Sequence, residues 1–153
     1  MGLEMLPDLE TIGNQAFAEV GTVTFSGDNR SLKTIGIDAF GGATAVVGLH
    51  TLPALVTIWD GAFKEATNTV EFGIKNTKLT TIGKSAFAEA TAVKGLETLP
   101  ALVTIGDGAF PKVREVKFSG MNKSLTTIGD GAFAEATVEG LPDMVTKGNR
   151  AFS

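Results

Sequence analysis

The sequence predicts a β-rich solenoid: one domain over residues 1–153, wound as seven coils of about 23 residues, with short parallel strands and brief helical turns. Three observations predict it. First, the phrase Leu-x-Thr-Ile-Gly-x-x-Ala-Phe recurs at 9–17, 32–40, 55–63, 79–87, 102–110 and 125–133, and a decayed copy fills 144–152. Second, its phenylalanines, Phe17, Phe40, Phe63, Phe87, Phe110, Phe133 and Phe152, follow one another at 23, 23, 24, 23, 23 and 19 residues. Third, the stretch after each Ala-Phe alternates between two kinds. One is Val-x-Phe with a polar loop, at 23–31, 70–78 and 116–124; the other is a Leu-Pro kind, at 46–54, 93–101 and 138–143. The larger unit is therefore a double coil of about 46 residues. A repeat in this register is a stack in which neighbouring coils share one core, because no single coil can bury its own Leu, Ile and Phe.

Each part of the coil has a local reason. Leu-x-Thr-Ile alternates apolar and polar residues and ends in a β-branched one, so it reads as a short strand. Val23 and Phe25, Val70 and Phe72, and Val116 and Phe118 make a second strand-like piece. The column Gly13, Gly36, Gly83, Gly106, Gly129 and Gly148 requires either positive φ or a tight backbone approach at the bend after the first strand. Asp-Gly pairs beginning at Asp60, Asp107 and Asp130 are turn chemistry. The Ala-Phe-Ala-Glu-Ala stretch suits one or two helical turns, too short to be stable alone.

Composition excludes several function classes. There is no Cys, so no disulfide framework, thiolate metal site or thiol nucleophile. A single His, His50, cannot supply a His-based metal cluster, and a catalytic triad would leave it without a defined partner. The Gly residues are spaced by the repeat and form no phosphate-binding loop. No cofactor and no enzymatic activity are expected. A net charge of −4 argues against a nucleic-acid partner. No apolar run is long enough to span a bilayer, and MGLEMLPDLE does not read as a signal peptide.

Leu-Pro-x-Leu-x-x-Ile-Gly-x-x-Ala-Phe, repeated from Met5 to Phe152, resembles the BspA-like, or Treponema-type, leucine-rich repeats. In that family a Cys or small residue usually follows Ala-Phe by three positions. Here Val20, Ala43, Ala66, Ala90, Val113 and Ala136 keep the slot small and apolar. The resemblance implies a leucine-rich-repeat solenoid, protein binding or adhesion at a cell surface, a protein partner, and no catalytic residues in the repeat.

Candidate sites are sought where the repeat is broken or faces outward. Trp59 replaces the column Gly and is the only Trp; it reads either as an exposed anchor for a partner or as packing over neighbouring coil edges. His50 reads as a solvated loop residue, or as a lone binding or pH-sensing group. Thr24, Glu71 and Lys117 are flanked by core positions on the second strand, so they point outward on the surface a solenoid uses for binding. The column Thr11, Thr34, Thr57, Thr81, Thr104, Thr127 and Thr146 predicts hydroxyls stacked and bonded along one face. Its sharper reading is an array matched to ice or a polysaccharide, but the adjacent column mixes Glu10, Lys33, Val56, Thr80, Val103, Thr126 and Val145. Asn29 and Asn122 match the N-glycosylation pattern in polar loops, where they also read as turn residues. Neither end of the stack reads as a polar cap, although Lys147 and the shortened last loop could form a modest one. The expectation is a segment of a longer array, membership of a larger assembly, or head-to-tail self-association.

Overall fold

A computed structural model describes residues 2–3 and 5–153. Its strands number in chain order. The Leu-x-Thr-Ile pieces give β1 (Thr11–Ile12), β3 (Thr34–Ile35), β5 (Thr57–Ile58), β7 (Thr81–Ile82), β9 (Thr104–Ile105), β11 (Thr127–Ile128) and β13 (Thr146–Lys147). These lie side by side as one seven-stranded parallel sheet in sequence order, Thr on Thr and Ile on Ile, until Lys147 takes the last Ile place. Seven rungs enclose six full turns. The second pieces are β2 (Thr22–Thr24), β4 (Ala45–Val47), β6 (Thr69–Glu71), β8 (Ala92–Lys94), β10 (Glu115–Lys117) and β12 (Thr137–Glu139). They pair only in twos, β2 with β4, β6 with β8 and β10 with β12. The double coil seen in the sequence is thus also a unit of hydrogen bonding.

The phenylalanine column is a stack of rings. Successive centroids from Phe17 to Phe152 lie 5.1–5.7 Å apart, with planes within 14° of parallel. Phe25, Phe72 and Phe118 meet it edge-on at 6.0–6.3 Å. Each such pair adds about 0.5–1.5 kcal/mol beyond the area it buries. Phe40, Phe63, Phe87, Phe110 and Phe133 are fully buried, together with Ile35, Ile58, Ile82 and Ile105.

Among the described residues helix is confined to two 3₁₀ turns, Leu49–Thr51 and Leu96–Thr98, in the Leu-Pro loops. The Ala-Phe stretch is not helical, contrary to its propensity. Its amides are used between coils: Phe40 N–H donates to Ala62 C=O at 3.0 Å, Phe63 to Ala86 at 2.9 Å and Phe110 to Ala132 at 2.8 Å. A donor that closes a ladder to the next coil cannot also close an intrahelical bond.

The glycine column is explained by close approach and not by φ. A Cβ built at Gly36, Gly83, Gly106, Gly129 or Gly148 would lie 2.4–2.7 Å from backbone of the preceding coil. Left-handed backbone falls two positions later, at Gln15, Asp38, Gly61, Ser85, Gly108, Gly131 and Arg150 (φ 49–63°). The position between them carries Asn14, Asp60, Asp107 and Asp130. Their Oδ1 atoms accept from the next coil's Ile37, Lys84, Asp130 and Asn149 amides at 2.7–2.9 Å.

The polar loops hide a second polar column. Asn29, Asn76 and Asn122 are fully buried. Asn76 Nδ2 donates to Leu49 and Leu52 C=O of the preceding Leu-Pro turn at 2.9 and 3.0 Å, and its Oδ1 accepts from Gly73 N–H at 2.9 Å. Asn122 does the same with Leu96, Leu99 and Ser119, and Asn29 with Leu3, Leu6 and Ser26. Asn29 and Asn122 are therefore core residues rather than exposed turn residues, and a glycan on either amide would have to break these bonds. The threonine column stacks in register as expected, but its hydroxyls do not bond along it. The hydroxyl contacts found are between sequence neighbours, Thr80 with Thr81 and Thr126 with Thr127, both at 3.4 Å.

Asn76→Ala strands the Leu52 carbonyl and the Gly73 amide, while Leu49 C=O keeps the Leu52 N–H, so unfolding stability in urea should fall by on the order of 2 kcal/mol at about 1–3 kcal/mol per stranded buried group; a loss below about 0.5 kcal/mol would contradict the assignment. Ser85→Gly relieves a left-handed non-Gly residue and should raise stability by about 1 kcal/mol in the same measurement.

Candidate functional site

The candidate surface is the face formed by the second strands. In each, the middle Val points inward and its neighbours point out, because side chains alternate along a strand. Register then sets the outward residues opposite one another: Thr24 beside Val47, Glu71 beside Lys94, and Lys117 beside Glu139. Thr24, Glu71 and Lys117 lie on this one face, as the sequence predicts. Their register partners Val47, Lys94 and Glu139 were missed. The signal was present in Val-Val-Gly, Val-Lys-Gly and Val-Glu-Gly, where the middle residue occupies the outward position of the Leu-Pro kind.

Electrostatics on this face are local and exposed. Lys117 Nζ lies 3.4 Å from Glu115 Oε1 and 3.5 Å from Glu139 Oε2. The hydrogen bond to Glu115, followed by the charge of Glu139, raises the Lys117 pKa above the ordinary lysine value. His50 sits in the first 3₁₀ turn, and its Nδ1 is 4.0 Å from Glu71 Oε2. That nitrogen is covered and makes no hydrogen bond, so His50 is only in part the solvated loop residue expected. His50 and Glu71 are the sequence-predicted candidates that the structure brings into direct proximity.

Trp59 lies elsewhere, immediately after Ile58 of β5 in the seven-stranded sheet, and is 46% exposed. Its amide keeps the rung, donating to Ile35 C=O at 2.9 Å as Gly83 donates to Ile58 at 2.8 Å. The preceding coil carries Ile37 where five others carry Asn14, Asp60, Asp107, Asp130 and Asn149 and one carries Lys84. The Asx oxygen that lies 2.4–2.7 Å from a Cβ built at Gly36, Gly83, Gly129 or Gly148 is therefore absent beneath Trp59. Exposed Ile37 stands in that preceding coil.

Two clefts open on the second-strand face, one at each junction between double coils. The cleft between β4 and β6 has a volume of about 220 Å³ and is lined by Val46, His50, Asn68 and Glu71, among others. The cleft between β8 and β10 has about 480 Å³ and is lined by Val93, Lys94, Glu97, Arg114, Glu115 and Lys117, among others. No group of three or more metal-ligating side chains occurs among the described residues, and no helix there is long and apolar enough to cross a membrane.

A model of the BspA type leucine rich repeat region matches residues 7–139 in six copies. The crystal structure of a Treponema pallidum leucine rich repeat protein superposes with a TM-score of 0.60, covering 92% of this chain and 67% of that one at 22% identity. At that identity the likeness is one of fold. No curated protein matches the sequence.

The titration of Lys117, followed by NMR of its side chain, should move to lower pH in Glu115→Gln, since the bond to the Glu115 carboxylate is what chiefly stabilises the charged ammonium. An unchanged titration would show that the Glu115 contact does not form in solution.

Proposed function

The chain belongs to the BspA-type leucine-rich repeat family, and on that footing we propose that it is a non-catalytic protein-binding module whose contact surface is the second-strand face. The carrying observation is the contrast across these strands. Inward Val23, Val46, Val70 and Val116 are at most 3% exposed. Outward Thr24, Val47, Glu71, Lys94, Lys117 and Glu139 change in size and charge from coil to coil. A constant scaffold with varied outward positions is how a solenoid builds an extended binding surface. Trp59 offers a separate aromatic anchor at the C-terminal end of β5 in the other sheet. Adhesion at a cell surface is the finer form of this reading that the family supports.

A second reading, end-to-end stacking of copies, is favoured by the half-buried rings of Phe17 and Phe152 at the two ends of the aromatic column. It makes assembly concentration-dependent, which light scattering reads.

A photo-crosslinking amino acid placed in turn at positions 71, 94 and 117 should label a common protein partner, and the same group at position 104 on the seven-stranded sheet should not. Equal labelling from both faces would overturn the choice of face. Trp59→Ala should weaken binding of that partner while leaving the unfolding midpoint unchanged. Unchanged binding would remove Trp59 from the interface.

A further inference from the structure

The junction between double coils is closed in one way before β2, in another between β4 and β6, and is left open between β8 and β10. Before β2, backbone closes it: Leu3 N–H donates to Thr24 C=O at 3.0 Å, and Gly2 bridges Thr24. Between β4 and β6 a side chain closes it. Asn68 Oδ1 accepts from Val46 N–H at 3.0 Å, and its Nδ2 donates to Val46 C=O at 2.7 Å. The carboxamide thus offers Val46 the donor and acceptor that a neighbouring strand's peptide groups would offer. A further bond, Nδ2 to Thr69 C=O at 2.8 Å, holds the side chain in that pose.

Asn68 is also the extra residue of the repeat. Phe63 and Val70 are seven residues apart, whereas Phe40 and Val46, Phe87 and Val93, and Phe110 and Val116 are six apart. That insertion produces the single 24-residue spacing in the phenylalanine column.

Between β8 and β10 there is no such insertion. The two strands form no ladder, and among the described residues no side chain bonds Val93 as Asn68 bonds Val46. Successive residues of a strand direct their N–H and C=O groups alternately to the two sides. Pairing of Val70 with Val93 and of Val116 with Val138 fixes which groups face the gap. They are those of Val93 on one side, and of Glu115 and Lys117 on the other. Val93 is partly exposed, whereas Val46 is only 3% exposed. The cleft is about twice the volume of its filled counterpart. Ser119 Oγ closes its loop end by donating to Glu97 C=O at 2.7 Å.

We propose that the β8–β10 cleft is a binding slot for an extended segment of a partner protein that presents an Asn or Gln carboxamide to the backbone of Val93. The argument for this occupant is on the molecule itself, because the sister slot is filled by that group in that role. A carboxylate would set its oxygen against the Val93 carbonyl, and an aliphatic side chain would leave both backbone groups unpaired, so both are disfavoured. The site deepens the protein-binding reading by naming where on the face a partner enters and what it inserts.

The probe is acetyl-Ala-Thr-Asn-Thr-Val-amide, which copies residues 66–70, titrated into the labelled full-length chain and followed by amide NMR. Saturable shifts at Val93, Glu115 and Lys117 are expected, and none for the same peptide with Asp or Leu in place of Asn. Inserting an asparagine between Arg114 and Glu115 should fill the slot, slow hydrogen exchange at Val93 and abolish the shifts. Independently, Asn68→Ala should speed exchange at Val46 about tenfold and let the peptide shift Val46 as well. Absence of a shift up to about 10 mM peptide, or equal shifts from the Asp and Leu peptides, overturns the slot. Such a failure with face-specific crosslinking intact would leave the binding face standing, whereas loss of that crosslinking overturns the face itself.

Discussion

The distance between coils governs this molecule. Parallel strands repeat at about 4.8 Å, and the stacked rings settle at 5.1–5.7 Å. Backbone ladders and the aromatic column therefore demand nearly the same spacing, and each reinforces the other. The same spacing acts as a filter on sequence. At Gly36, Gly83, Gly106, Gly129 and Gly148 the coil below comes so near that a methyl group would overlap its backbone. At those five places Gly answers a steric demand, whereas Trp59 occupies the same column over Ile37, and the left-handed turn two residues later accepts Gln15, Asp38, Ser85 and Arg150.

Much of this was legible because period is a property of sequence. The Thr-Ile rungs and the Phe column follow from spacing alone, and their register in space is their register in the chain. What was hidden depends on contacts between coils. The Ala-Phe stretch has helical composition, but its amides donate across the stack, so local propensity loses to the ladder. Asn29 and Asn122 read as turn residues because polar neighbours surround them, and Asn76 in the third polar loop gave no separate signal. Their burial follows from carbonyls contributed by a turn one coil away, which no local pattern reveals. The candidate face was legible by alternation for Thr24, Glu71 and Lys117. His50 was harder, since the covering of its Nδ1 depends on the neighbouring coil.

The two kinds of coil divide the structural work. The Leu-Pro coil supplies a compact turn whose carbonyls point back into the stack. It opens on Gly48 or Gly95, at φ 88 and 80°, where a side chain would strike the carbonyl of Phe25 or Phe72. The Val-x-Phe coil supplies the buried Asn that reads those carbonyls and the ring that braces the phenylalanine column edge-on. Neither coil satisfies its buried polar groups alone, which is why the repeat propagates by twos. The second strands pair in the other phase, each Val-x-Phe strand with that of the Leu-Pro coil after it, and this leaves a seam at each junction, which the Asn bonds cross.

Seams are where such a stack has freedom. Within a double coil the second strands are laddered over three residue pairs, and an insertion there would break that register. At a seam, the seven-stranded sheet, the Phe column and the buried Asn already hold the coils together, so the second-strand backbone is released from a structural duty. The extra residue at position 68 shows the consequence: the chain absorbed an insertion there while Val70 kept its register with Val93 and Phe63 its stacking with Phe87. Variation tolerated without loss of core is the physical condition for a recognition site. On this scaffold that condition holds at the outward side chains and at the junctions between double coils, and the β8–β10 junction combines the two.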